Sequence, residues 1–267
     1  MAMTDGFERL VSYIEEEVEF ATSYYNDAYL DRRISARMRR TDSEDYGTYL
    51  RLLRDDQDER AALLDFLSVN VTSFFRNPEV WEALRPLLAE STSGRGRTEW
   101  WSAPCSDGRE PYSLAMLALD DDGVDTRRLS ITGSDIDREA LATARRGCYE
   151  TTRTTDVAAE LEPLSTYEPY VDRDGDAFSV RDRVKELVTF DHHDLIRGDP
   201  RSGFDLVLCR NLFIYIDPAY KRPVFETIRD SLESGGYLVI GKTETMPKAF
   251  RDAFEPVDKT NRIYRKQ

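Results

Sequence analysis

Several residues stand where chemistry would need them. Glu110 follows the turn cluster Ser106-Asp107-Gly108 and precedes a helix-compatible run that starts at Pro111. A carboxylate there accepts hydrogen bonds from the free N–H groups of a helix start, or it binds a cationic ligand group such as a sulfonium or an amine. Asp135, in Ile131-Thr132-Gly133-Ser134-Asp135, closes a strand-like run. An acid at that place can accept both hydroxyls of a ribose, or cap the next helix, a task Asp137 can equally perform. Asp194 ends Asp191-His192-His193-Asp194 and can bond an adenine amino group. The adjacent His192 and His193 point to opposite sides of an extended chain, so by themselves they make no two-ligand metal site. Arg210-Asn211, followed by Tyr215, interrupts an apolar run from Leu208 to Ile216. A strand end of this kind faces a ligand crevice, and plain packing before a helix capped at Asp217-Pro218 is an equal alternative. The first loop contains one glycine, Gly108, and no G-x-G-x-x-G. A cofactor without a pyrophosphate therefore fits it better than a dinucleotide. No G-x-S-x-G elbow, Walker loop, H-E-x-x-H or C-x-x-C occurs, which removes hydrolase and NTPase readings.

These residues need a scaffold, and the stretch Trp100 to Met116 is its centre: strand, loop, helix. From Glu99 onward strands alternate with helices. Strands are expected at Trp100–Ala103, Arg128–Gly133, Leu187–Phe190, Phe204–Cys209 and Gly236–Gly241, with Asn261–Arg265 as a last edge strand. Helices are expected at Pro111–Leu119, Asp137–Arg146 and Pro218–Leu232. This is a parallel, doubly wound α/β pattern. Before it, apolar spacing predicts helices only: Phe7, Leu10, Val11 and Ile14 on one face, then Tyr29–Arg40, Tyr46–Asp55, Glu59–Val69 and Glu79–Glu90. The Gly/Ser/Arg-rich stretch Ser91–Arg97 marks the expected boundary, giving a helical domain over 1–92 and an α/β domain over 93–267. Residues 151–186 break the alternation and read as an insert, a helix plus a small hairpin turning at Asp174-Gly175-Asp176.

Composition narrows the partners. With 267 residues, 40% of them hydrophobic and 11% aromatic, the chain can bury two cores. No apolar run approaches the roughly 20 residues of a bilayer span, and no leader pattern opens the chain, so a soluble cytoplasmic protein with no membrane insertion is expected. The three cysteines are scattered and suit neither a disulfide framework nor a zinc knuckle. A net charge of −14 argues against nucleic acid, which demands a cationic footprint. Lysines number only six, beginning at Lys185. An acidic, lysine-poor surface is what a high-salt cytoplasm such as that of a halophilic archaeon would favour.

Several segments, in order, resemble the signatures of the CheR-type chemotaxis receptor methyltransferases. They are Asn70-Val71-Thr72-Ser73-Phe74-Phe75-Arg76, Trp101 through Ser113, Ser134-Asp135-Ile136-Asp137, Phe204 through Tyr215, and Gly235 through Glu244 with its G-G-x-L-x-x-G-x-x-E close. The resemblance covers nearly the whole chain. It implies an α/β fold made of an N-terminal all-α domain and a Rossmann-like class I methyltransferase domain with a small inserted β subdomain. It further implies S-adenosylmethionine as methyl donor, S-adenosylhomocysteine as product, no metal, and a receptor glutamate as acceptor, giving a γ-methyl ester. By position, Asn70, Thr72, Arg76, Glu110, Asp135, Asp194, Leu195, Arg210 and Asn211 resemble cofactor-contacting residues, with Arg76 and Tyr215 near the transferred methyl. Two departures stand out: Asp107-Gly108-Arg109 replaces the usual T-G-E run, and Asp194 stands where asparagine is common.

A glutamate carboxylate is ionised near neutral pH, so its attack on a sulfonium methyl needs placement and desolvation rather than a strong base. Arg76 and Tyr215 are therefore expected to position the acceptor. The family places a basic helix for receptor recognition where Arg33, Arg37 and Arg40 fall at i, i+4 and i+7, beside an apolar stripe of Leu30, Ile34 and Met38 and flanked by Arg32 and Arg39. In some members the inserted subdomain also captures a peptide at the receptor's C-terminus. Here the corresponding turn is short, holds one glycine and carries Asp172, Asp174 and Asp176, which repel an acidic peptide, so recognition without a tether is expected. A monomer acting on receptor cytoplasmic helices is the resulting expectation. The alternatives are a methyltransferase of the same fold for another acceptor, or a non-catalytic S-adenosylmethionine sensor.

Overall fold

The computed structural model describes residues 2–18, 20–67, 72–94 and 96–267. The chain forms two compact units, one of Met1–Val69 with Phe213–Lys221 and one of Asn70–Leu212 with Arg222–Gln267.

The first unit is helical: α1 (Ala2–Glu17), α2 (Asp27–Arg40), α3 (Tyr46–Asp55) and α4 (Gln57–Leu67). Caps define the starts of two of them. The Asn26 side chain accepts from Tyr29 N at 2.9 Å and that of Asp45 from Thr48 N at 2.7 Å, each satisfying an orphan donor of its helix. Leu30, Ile34 and Met38, four residues apart, face a core with Leu10, Ile14, Tyr49, Leu53, Leu63 and Leu67. The returning segment 213–221 belongs to this unit through polar contacts. Asn26 donates from its backbone N and from Nδ2 to Tyr215 O, at 3.0 and 2.7 Å, and Asp217 N donates to Tyr24 O at 2.9 Å.

The second unit opens with α5 (Pro78–Thr92) and continues β1 (Thr98–Ser102), α6 (Arg109–Asp120), β2 (Leu129–Asp135) and α7 (Arg138–Arg146). The insert comes next: β3 (Cys148–Glu150), α8 (Val157–Glu160), β4 (Val171–Asp174), β5 (Ala177–Val180) and α9 (Asp182–Lys185). The unit closes with β6 (Val188–His192), β7 (Phe204–Cys209), α10 (Pro218–Ser231), β8 (Leu232–Ile240), β9 (Phe254–Asp258) and β10 (Ile263–Lys266). The main sheet runs β6-β2-β1-β7-β8-β10-β9, and β3-β5-β4 form the small antiparallel sheet of the insert. Strands β6, β2, β1, β7 and β8 run parallel to one another, and β10 is antiparallel to β8 and β9. The strand order reverses at β1, so the carboxyl ends of β1, β2 and β7 form a topological switch point.

The structure corrects two sequence expectations. The boundary falls at Val69/Asn70 rather than in Ser91–Arg97, because α5 buries Val80, Trp81, Leu84 and Leu88 in the core of the α/β unit. Composition marks the polar linker after α5, whereas packing decides which core α5 completes. The last strand is also not at the edge. β10 pairs on both sides, and β9, whose Pro256 and exposed polar residues hide its strand character, takes the edge.

Candidate active site

The loop after β1 is fastened to the end of β2 by a side chain. Asp135 is 8% exposed, and its two carboxylate oxygens accept from Ser106 N at 2.7 Å and from Asp137 N at 3.0 Å. Burial raises its pKa above the ordinary aspartate range, and the backbone N–H bonds pull it back only in part. Ser106 is held at φ 49°, and Gly108, at φ 90°, starts α6 where a Cβ would lie 2.7 Å from the Ala144 side chain. Only glycine suits that backbone and that contact.

Glu110, on the first turn of α6, accepts from Ser102 Oγ at 2.9 Å and from Arg210 Nη1 at 3.1 Å. Burial pushes this carboxyl upward, opposed by the Arg210 charge and the Ser102 hydroxyl. Arg210 is itself buried and branches. Its Nη2 donates to Arg76 O at 2.8 Å and to Asn77 Oδ1 at 3.1 Å, leaving Nε buried without a hydrogen-bond partner. Phe75 and Asn77, on either side of Arg76, have φ of 46° and 61°. Such conformations cost about 1–3 kcal/mol each in non-glycine residues and persist only where surrounding contacts over-determine them. Here a single guanidinium joins the end of β7 and the start of α6 to that strained loop.

The other side of β7 is finished by a residue to which sequence reasoning assigned no role. Glu244 is buried, and its Oε2 accepts from Gly241 N at 2.6 Å and from Asn211 N at 3.1 Å, holding Asn211 at φ 61°. A Cβ on Gly241 would meet that same oxygen at 2.6 Å, so the Gly241-x-x-Glu244 spacing was the available signal. Beyond β6, Asp194 Oδ1 accepts from Ile196 N and Arg197 N at 2.8 and 3.1 Å, which makes it a turn holder, and Leu195 is buried. His193 packs edge-on against Trp101, and desolvation lowers its pKa.

Two family models match consecutive parts of the chain: the CheR methyltransferase all-alpha domain at residues 5–68 and the CheR methyltransferase SAM binding domain at 70–263. This chain belongs to the CheR methyltransferase family. It is similar to the chemotaxis protein methyltransferase of Listeria monocytogenes, with 30% identity over 235 residues covering 86% of each chain. Chemotaxis protein methyltransferase 1 of Vibrio cholerae is 33% identical over 219 residues, 77% of each chain. The Salmonella typhimurium protein of the same description is 29% identical over 264 residues, covering 94% of this chain and 88% of that one.

S-adenosylmethionine is the cofactor of this CheR chain, and the donor set at the switch point suits it. Glu110 and Asp135 are carboxylates that burial disfavours, so a ligand bearing cationic groups and hydroxyl donors relieves both. Among the described residues, no group of His, Cys, Asp and Glu is arranged to hold a metal ion. Asn70 lies outside the described residues. Thr72 is placed by its carbonyl, which accepts from Arg109 Nη1 at 3.0 Å. Arg76 lies on the wall of an open cleft of about 590 Å³ with Phe74, Asn77, Glu82, Glu160 and Glu162; neither Glu110 nor Asp135 lines it.

The remaining candidates belong to the helical unit of the CheR chain. The Tyr215 ring packs at 5.2 Å from that of Tyr29, which in turn stacks on Tyr25 at 5.3 Å. Arg33 lies over the rings of Tyr29 and Phe66, and Arg40 over Phe66 at 5.0 Å. Arg37 does not share their surface, contrary to the expectation of one basic stripe. It stands one residue before buried Met38 and pairs with Glu59 through both Nε and Nη2, only 14% exposed. The i, i+4, i+7 spacing does lie on one helix, but the facing α4 supplies a buried carboxylate that turns the middle arginine inward.

Proposed function

We propose that the chain transfers a methyl group from S-adenosylmethionine to the γ-carboxylate of glutamates on the cytoplasmic helices of chemotaxis receptors, giving γ-methyl esters and acting in the cytoplasm as a monomer. The observation that carries this reading is the Arg210 junction: one guanidinium fixes Glu110 and the Arg76 loop together. A site that must align a donor with an acceptor needs such a shared brace.

S-adenosylmethionine, when bound, supplies an electrophilic methyl on a sulfonium sulfur. Glu110 would balance its cationic end, Asp135 would accept the ribose hydroxyls, and Thr72, Asp194, Leu195, Arg210 and Asn211 would line the pocket, to which the sequence also assigns Asn70, outside the described residues. Arg76 is assigned the orientation of the acceptor carboxylate. The acceptor carboxylate would meet that methyl already ionised, so this chain's residues have to place and desolvate it and none has to move a proton. Arg76 reaches the acceptor from the cleft wall, which suits a residue that orients a substrate carboxylate bidentately.

Receptor helices are read by Arg33 and Arg40 with the exposed Arg32 and Arg39, while Arg37 holds α2 to α4. The tight β4–β5 hairpin, with Asp174 opposite Ala177 and Asp172, Asp174 and Asp176 along it, does not favour capture of an acidic tail, and recognition proceeds without one.

The test uses the full chain, methyl-labelled S-adenosylmethionine and a receptor cytoplasmic fragment with and without its C-terminal tail. Both fragments should take up label that mild base releases as methanol, and an Arg33→Glu/Arg40→Glu variant should lose at least about tenfold of that transfer with unchanged cofactor affinity, as for two interface charges reversed. Base-stable label would indicate a different acceptor atom. Binding without transfer would make the chain a sensor, and dependence on the tail would refute tether-free recognition.

A further inference from the structure

Arg109 takes no direct part in the proposed transfer, yet its side chain is largely withdrawn from water among residues of the second unit. Its side chain is 13% exposed, and its guanidinium carbon lies 5.0 Å from the ring centre of Tyr149 on β3 and 5.8 Å from that of Phe74. The two rings meet edge to face at 5.0 Å. Nη1 donates to Thr72 O at 3.0 Å, and Nε faces Asp107 Oδ2 at 3.6 Å, too long for a hydrogen bond but close enough to balance the buried carboxylate. The backbone of Arg109 grips the same segment. Its carbonyl accepts from Ser113 Oγ at 2.7 Å, and that oxygen accepts from Phe75 N at 3.0 Å. Glu160 on α8 takes Phe74 N at 2.9 Å, and Tyr149 donates its hydroxyl to Asp107 O at 2.7 Å.

Segment 72–75 is thus held from the β1 loop, from α6, from β3 and from α8, and each hold passes through Arg109 or one of its neighbours. The segment needs it. Phe75 is a bulky residue in a left-handed conformation, and Arg76 comes directly after it on the cleft wall. Without outside restraint such a backbone relaxes toward negative φ, which would swing Arg76 away.

We propose that Arg109 is a positioning residue for methyl transfer: its guanidinium, packed beside the Phe74–Tyr149 ring pair and bonded to Thr72 O, sets the backbone that aims Arg76. The proposal rests on the proposed function, in which Arg76 orients the acceptor. Asp107 is the counter-charge that allows an arginine in this place. A guanidinium can pack against an aromatic ring pair while donating in its own plane, which neither lysine nor glutamate can do.

The experiment compares the parent chain with Arg109→Met/Asp107→Asn, in which no buried charge is left unpaired, and with Arg109→Lys, which keeps the charge but not the fork. Three quantities are read: single-turnover methyl transfer to a receptor fragment at saturating cofactor, amide hydrogen exchange across residues 72–77, and thermal stability. Both variants should exchange the Phe74 and Phe75 amides at least about tenfold faster and transfer about 100-fold more slowly, as expected of a misplacement near 1 Å, with melting close to the parent. Faster exchange with parent-like transfer, or slower transfer with parent-like exchange, overturns the proposal. If the double variant does not fold, Arg109→Lys decides by the same two measurements. If the parent itself fails to methylate the receptor fragment, the functional reading fails, and hydrogen exchange alone shows whether Arg109 holds the segment.

Discussion

Arg37–Glu59 in the helical unit and Arg210–Glu110 in the sheet unit are both guanidinium–carboxylate pairs withdrawn from water, and they are finished in different ways. Arg37 places two donors on the two oxygens of one carboxylate, and the Tyr49 hydroxyl closes the group by donating to Glu59 Oε1 at 2.6 Å. Burial and the Glu59 charge push the Tyr49 hydroxyl's pKa well up, so it remains a donor at any ordinary pH. That group satisfies itself and ties helix to helix. Arg210 instead gives one N–H to Glu110 and others to Arg76 O and Asn77 Oδ1, while Glu110 also takes Ser102. A closed pair stabilises the elements that contain it. A branched pair transmits position between segments, and this one occurs where the chain leaves its strands to build a site.

The sharpest test of that contrast deletes each arginine. Removing one partner of a buried pair costs about 3–5 kcal/mol in either place, because the other charge is stranded. Arg210→Met should in addition lower methyl transfer about 100-fold through displacement of the Arg76 loop. Arg37→Met should destabilise the helical unit by a similar amount and leave cofactor affinity, measured by calorimetry, at the parent value. Equal loss of cofactor binding in the two variants would break the comparison.

A smaller effect is expected from pH. Asp135 has its pKa raised by burial, so across the window from the ordinary aspartate pKa to that raised value the folded chain holds a proton the unfolded chain has released. Its contribution to stability is therefore present at low pH and is lost as pH rises through that window. Hydroxyl donors from a ligand favour the ionised form, so cofactor affinity should rise with pH over the same window, with proton release on binding. Asp135→Asn should flatten this slope and weaken binding about tenfold, the loss of one charge-assisted hydrogen bond. Calorimetry in buffers of different ionisation enthalpy reads both, and an unchanged slope in the variant would remove Asp135 from the cofactor site. The smallest effect is Tyr49→Phe, which takes one donor from the closed pair. It should cost about 1 kcal/mol in thermal melting with no change in transfer, and a fall in turnover would mean that the helical pair is not closed after all.

Local pattern made much of the second unit legible. Parallel strands buried on both faces, such as Phe204–Cys209, read as apolar runs, and polar residues that interrupt such runs at their carboxyl ends had to face a crevice. The placing of Asp135 at the end of β2 and of Glu110 at the start of α6 was therefore visible from position alone, as was the apolar face of α2, since a period of 3.6 is a property of consecutive residues. Contacts between distant residues were not legible in this way. The assignment of α5 to the sheet core, the inward turn of Arg37 toward Glu59, the hold of Glu244 on Asn211 and the clamp of Arg109 on Thr72 each join residues far apart in the chain. Side-chain direction at such places is set by the partner that packing delivers, and no spacing along one segment encodes a charge arriving from another. The sequence by itself determined which residue types stand at the ends of which elements, and tertiary structure decided which partners those side chains meet and which of them hold the others in place.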